Sequence, residues 1–169
     1  KKLIRNTLIK IYKKIHYENN ILTHKDFHAA NIMLYKKKPY LIDSQDAVLG
    51  NPLYDLASLI DDVRLKIPIN VQQKLFDYYF KKSNIKNKNL DNFISDFHIL
   101  SVQRSLKILG IFVRLYKRDN KTKYLKYLPN TWKLLNLRLR HPIFKELNNT
   151  MNSLLPMNKL KKFKFNENN

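Results

Sequence analysis

Ile4, Leu8, Ile11 and Ile15 recur at alternating intervals of four and three, and lysines occupy the faces between them. That spacing keeps the apolar side chains on one stripe and predicts an amphipathic helix at the start of the chain. Tyr17-Glu18-Asn19-Asn20, poor helix formers, end it, and Ile21-Leu22-Thr23 reads as a short extended segment. Two short apolar runs follow, Ile32 to Tyr35 and Tyr40 to Ile42, on either side of Lys36-Lys37-Lys38-Pro39. They read as one small β-hairpin with a charged tip. Gly50-Asn51-Pro52 reads as a turn, with Pro52 placed to open a helix at its first position. Leu53, Leu56, Ala57 and Ile60 give that helix its buried face, through about Arg64. The remainder is helical in pattern: Val71 to Lys82, Leu90 to Tyr116 with a break expected at Gly110, Tyr124 to Arg140, and Pro142 to Leu155. The predicted fold class is α+β, mostly α-helical, in one domain over residues 1–158, with a frayed basic tail over 159–169.

Composition narrows this picture. The chain has 169 residues, enough for one core without a disulfide or metal staple. The absence of cysteine excludes a disulfide scaffold, a thiolate zinc site and a cysteine nucleophile, and it fits a reducing, cytoplasmic location. Only two glycines occur, Gly50 and Gly110, so a glycine-rich phosphate loop is excluded. No apolar run approaches the roughly 20 residues of a membrane span. The formal charge is +20, from 33 basic and 13 acidic residues. A basic surface suggests an RNA or acidic partner. Lysine, asparagine and isoleucine are abundant throughout, however, while arginine is scarce. AT-rich codons supply that pattern, so a nucleic-acid partner is not expected.

The chemistry is concentrated between Thr23 and Leu59. His24-Lys25-Asp26 is followed by Asn31 and then by Leu41-Ile42-Asp43. Phosphoryl transfer from ATP to an alcohol needs a carboxylate to orient and deprotonate the acceptor, and oxygen ligands for Mg²⁺ at the phosphates. Asp26 and Asn31 share one loop. The hairpin brings Asn31 beside Asp43, an amide oxygen beside a carboxylate, which suits a hard cation. Taken singly, each residue has a plainer reading: His24 or His28 as a hydrogen-bonded loop histidine, Asp43 as a turn residue, Asp55 as first-turn helix chemistry.

Their order and separations resemble a known pattern. His24-x-Asp26-x-x-x-x-Asn31 followed by a strand-borne Asp43 resembles the catalytic loop and metal carboxylate of the protein-kinase-like fold. Asp26-Phe27-His28-Ala29-Ala30-Asn31, Ile42-Asp43-Ser44-Gln45-Asp46-Ala47 and Tyr54-Asp55-Leu56-Ala57-Ser58-Leu59 resemble the aminoglycoside phosphotransferase family. Within it they look like the bacterial sugar-kinase group that phosphorylates N-acetylmuramate and N-acetylglucosamine at the anomeric hydroxyl. Gln103 to Phe112 resembles a later helix of that group, so the likeness runs from about residue 5 to 155. The resemblance implies an ATP- and Mg²⁺-dependent kinase whose acceptor is a small-molecule hydroxyl, an amino sugar. Asp26 would be the base, His24 a brace for its loop, and Asn31 and Asp43 the metal and nucleotide ligands. Asp55 would support the loop through backbone hydrogen bonds, and His28, Gln45 and Asp46 are candidate contacts to substrate or metal. Two residues depart from the group's pattern. Lys25 stands where Arg or Gly is usual, and Ser44 where Phe or Gly is usual.

The resemblance covers the C-terminal lobe of such a fold. The N-terminal lobe, with its phosphate-covering loop and strand lysine, has no counterpart before Ile21. The expectations left open are a cut longer protein, a split enzyme completed by a separate N-terminal-lobe chain, or a decaying gene. The alternative function is a non-catalytic remnant or a basic module that binds RNA or an acidic partner.

Overall fold

The computed structural model describes residues 2–154. The expectations for Leu155 and for the basic tail lie outside the described residues. Helix α1 (Lys2–Tyr12) leads into strand β1 (Ile21–Thr23). A single 3₁₀ turn over Ala29–Asn31 precedes β2 (Ile32–Tyr35) and β3 (Lys38–Leu41), and β4 (Val48–Gly50) follows. Helices α2 (Tyr54–Ile60), α3 (Ile69–Lys82), α4 (Leu90–Asp119), α5 (Leu128–Arg138) and α6 (Lys145–Leu154) complete the order. The described chain is therefore mostly helical, with two small antiparallel sheets.

Helix α4 is the spine. Its 30 residues run from an Asn89 cap, whose side chain accepts the Asn92 N–H, to Asn120, which takes the left-handed conformation at φ 50°. Phe93, Phe97 and Leu100 pack with Leu53, Leu56, Ala57 and Ile60 of the α2 segment. Ile99 and Val102 pack with Ile11 of α1, Leu135 and Leu139 at α5, and Leu147 of α6. Phe112 packs with Val63, Leu128 and Leu134. Ile4, Leu8 and Ile15 of the N-terminal stripe lie against the second of these clusters, although the helix itself stops at Tyr12.

Several boundaries differ from the pattern-based expectation. The helix does not break at Gly110, which sits on an exposed face with nothing within 4 Å of the position a Cβ would take. A helical glycine costs about 1 kcal/mol relative to alanine, too little to interrupt a helix anchored at three clusters. Pro52 lies two residues ahead of α2 rather than at its first position, and α2 ends at Ile60. The stretch predicted as one helix from Tyr124 begins as a 3₁₀ segment, Thr122–Tyr127, before α5. The hairpin is β2–β3, but its second strand starts at Lys38, so the tip is only Lys36-Lys37. Both tip residues are left-handed, at φ 47° and 63°. That is the two-residue turn whose twist matches a hairpin.

The single-hairpin expectation needs one correction. A second antiparallel pair joins β1 to β4, with Ile21 opposite Gly50 and Thr23 opposite Val48. Val48 and Leu49 are too few to show an alternating pattern, and the turn signal of Gly50-Asn51-Pro52 masks them. Gly50 is required there: a Cβ would overlap Thr23 Oγ1, which donates to the Val48 carbonyl at 2.8 Å.

Candidate active site

The segment after β1 is fastened from below by α2. Asp55, in the first turn of that helix, accepts the N–H of His24 at 2.7 Å on one carboxylate oxygen and the N–H of Lys25 at 3.1 Å on the other. Lys25 is left-handed at φ 73°. This conformation is unfavourable for a side chain with a Cβ, and the Asp55 carboxylate holds it in place. The Lys25 ammonium lies 4.3 Å from the centroid of the Tyr54 ring, a cation–π contact on the same helix. His24 is buried, its ring edge-on to Phe27, and its Nε2 lies 2.9 Å from the Ile42 carbonyl. The imidazole thus ties the loop to the segment that carries Asp43.

Asp26 is exposed at the loop's crest. The Asn31 side-chain NH₂ donates to the Asp26 carbonyl at 3.0 Å, and the Asn31 carbonyl accepts the Ile42 N–H at 3.1 Å. With its nitrogen engaged, the Asn31 amide oxygen is the side-chain atom left without a protein partner among the described residues. The Ile42 bond extends the β2–β3 ladder by one step, so Asp43 leaves the hairpin next to Asn31. Asp43 is exposed and left-handed at φ 69°, and one of its carboxylate oxygens accepts from the Gln45 side chain at 2.8 Å. Gln45 therefore orients Asp43 directly. Asp46 and Ser44 are exposed in the same turn. His28 is buried, with its Nδ1 lacking a partner among the described residues. Burial pushes its pKa below the usual imidazole value, as do the charges of Arg64 and Arg104, against the opposing charges of Asp62 and Asp26.

The structure thus brings Asp26, Asn31 and Asp43 to one loop and hairpin end. Asn31 and Asp43 supply an amide oxygen and a carboxylate, donors suited to Mg²⁺, which keeps waters and phosphate oxygens as its remaining ligands. Among the described residues no cluster of three His, Cys, Asp or Glu side chains can hold a metal ion by itself. Residues 9–87, which contain this whole arrangement, match the family described as "Phosphotransferase enzyme family". An N-acetylmuramate/N-acetylglucosamine kinase of Neisseria meningitidis serogroup B is 36% identical over 113 residues, 64% of this chain and 34% of that protein. Over that segment the chain is similar to the phosphotransferase enzyme family.

Two further relatives carry the same name. That of Pseudomonas aeruginosa is 32% identical over 139 residues, 79% of this chain and 41% of that protein. That of Caulobacter vibrioides is 28% identical over 142 residues, 81% of this chain and 39% of that protein. The chain spans between 34% and 41% of the length of these relatives.

Sequence reasoning missed a second layer of this site. Asp62, buried just past α2, accepts the N–H of Ala29 at 3.2 Å and that of Arg64 at 2.9 Å. It fastens the loop a second time, four residues after the Asp55 anchor at Lys25. Its neighbour Asp61 pairs with Arg138 of α5 through Nη2 at 2.7 Å and Nε at 3.0 Å, and Arg138 lies over the Phe97 ring. The carboxyl pair Asp61-Asp62 was visible in the sequence, but nothing local assigns either one a partner.

Proposed function

We propose that this chain is the part of a small-molecule kinase that carries the catalytic base and the metal ligands, the C-terminal lobe of a protein-kinase-like fold. Asp26 receives the acceptor hydroxyl, orients it and takes its proton. Asn31 and Asp43 hold Mg²⁺ through the amide oxygen and the carboxylate. When bound, Mg-ATP supplies the phosphoryl group, and the metal neutralises charge on its phosphates. Asp55 and Asp62 keep the loop in the conformation that presents Asp26, so little reorganisation is needed at the moment of transfer. Asp55 does so for a strained Lys25, and His24 couples the loop to the Asp43 strand. Lys25 keeps a positive charge without the planar fork of an arginine, and its contact with Tyr54 gives that charge a structural place. The acceptor is an amino sugar, as the names of the relatives suggest.

The observation that carries this reading is the pairing of Asn31 with the Asp43 strand. The Asn31 amide nitrogen is held by the Asp26 carbonyl, and the Asn31 carbonyl accepts the Ile42 N–H, so Asn31 and Asp43 lie at one end of the hairpin with the Asn31 amide oxygen not taken by the nitrogen's bond. The test is calorimetric titration of the chain with ATP, with and without Mg²⁺, beside Asp43→Ala. Metal-dependent binding that is lost in the variant is expected. An Mg-ATP affinity unchanged by Asp43→Ala overturns the assignment. In a turnover assay, Asp26→Asn is expected to lower the rate by about 10²- to 10⁴-fold, the usual worth of a general base.

A further inference from the structure

The catalytic loop meets a corner where two arginines have no directly paired carboxylate among the described residues. Asp62 gathers the backbone of Ala29, next to His28, and that of Arg64 onto its two oxygens. Arg104 reaches the same corner from α4, where its Nη1 donates to the Asp61 carbonyl at 3.5 Å, the outer limit of a hydrogen bond. Arg104 is only 6% exposed, and among the described residues it has no carboxylate within 4 Å. The nearby carboxylates are already occupied: Asp61 by Arg138, and Asp62 by two amides. A guanidinium this buried with no carboxylate paired directly against it is costly, and its single protein hydrogen bond among the described residues is long. His28 adds a buried ring nitrogen with no partner. Burial depresses the Arg104 pKa against the opposing influence of Tyr54, Asp61, Asp62 and Asp26, so the corner lies within electrostatic reach of the proposed base.

We infer that His28, Arg64 and Arg104 form an anion subsite that holds a carboxylate on the acceptor sugar. The inference rests on the phosphotransferase reading above and goes beyond it to acceptor choice. A guanidinium matches a carboxylate with two parallel N–H bonds. The loop is joined to the hairpin at Asn31 and to this corner at Ala29. The metal ligands belong to the hairpin, which leaves the corner for the molecule that Asp26 deprotonates. N-acetylmuramate and N-acetylglucosamine provide a matched pair of probes, because they differ only in the lactyl ether that bears the carboxylate.

The experiment is calorimetric titration of the full chain with each sugar in the presence of Mg-ATP, for the wild type, Arg64→Gln and Arg104→Gln. Arg64 is exposed, so its variant keeps the test valid if Arg104→Gln fails to fold by circular dichroism. The wild type is expected to bind the carboxylated sugar more tightly. Each folded variant is expected to lose about tenfold or more of that preference, the worth of one hydrogen bond to a charged group, with N-acetylglucosamine affinity unchanged. A preference that survives in the variants, or equal wild-type affinity for the two sugars, overturns the subsite and leaves the kinase reading intact. So does Mg-ATP binding without sugar binding. A parallel loss of Mg-ATP affinity in the variants reassigns the corner to nucleotide phosphate and overturns the subsite. Metal-dependent ATP binding absent from the wild type overturns the reading and the subsite together.

Discussion

His98 shows how a single side chain sets a pH limit on this fold. It stacks on His141 at 4.7 Å between ring centroids, and its Nδ1 lies 3.2 Å from the Arg138 carbonyl. Burial lowers its pKa to about 4, with the charges of Arg138 and His141 acting in the same direction. His28 and His141 are also lowered, mainly by burial. Each group binds its proton less readily when folded than when unfolded, so the unfolded state takes up more protons as the pH falls below the ordinary histidine value. Stability is therefore full above about pH 6.5 and declines towards pH 4, by up to about 3 kcal/mol from His98 alone. Urea unfolding at pH 7, 5.5 and 4.5 checks this, and His98→Gln is expected to flatten the decline. A slope identical in wild type and variant would remove His98 from the account. The residue scale also shows what a sequence can reveal. Asp26, Asn31 and Asp43 can be proposed together because they are local, three positions within one loop and hairpin. Arg138 and Asp61 are 77 positions apart, and Arg104 and Asp61 are 43 apart. No spacing rule links such pairs, and only the packing of α4 and α5 brings them together.

At the scale of elements, the two glycines make opposite predictions. Gly110 lies on the exposed face of a long helix with open space at its Cβ position. Gly110→Ala is expected to stabilise the chain by about 0.5–1 kcal/mol. Gly50 is buried where Thr23 fills the Cβ position. Gly50→Ala is expected to cost about 1–3 kcal/mol, the usual range for forcing extra volume into a packed site. Denaturant midpoints of the two variants decide both, and equal effects would refute the argument. The helices were readable because their apolar stripes repeat over many turns. The β1–β4 pair was not, since a three-residue strand shows too little alternation and its partner lies about 25 positions away. Strand pairing at that length is set by the site around it: Thr23 and Gly50 meet because the loop beyond Thr23 is fixed by Asp55.

For the molecule as a whole, a formal charge of +20 on 169 residues sets up broad self-repulsion. Raising monovalent salt from about 0.05 to 0.3 M shortens the screening length, so the melting temperature is expected to rise. A melting temperature that falls with salt would mean that exposed attractive pairs outweigh the repulsion. The buried Arg138–Asp61 pair is shielded from solvent and contributes little to that response. The charge is distributed without regard to the motif, which is why composition pointed towards nucleic acid while a handful of residues pointed elsewhere.

Helix α2 has only seven residues, yet the carboxylates of Asp55 in its first turn and Asp62 just past its end grip the loop at His24, Lys25 and Ala29. The inner face of the same helix belongs to the Phe93 cluster. The amide protons of His24, Lys25 and Ala29 are tied to carboxylates rooted in the core, so these anchors are expected to exchange with solvent on the timescale of core opening rather than that of a surface loop, leaving the exposed crest at Asp26 suspended between slow-exchanging points.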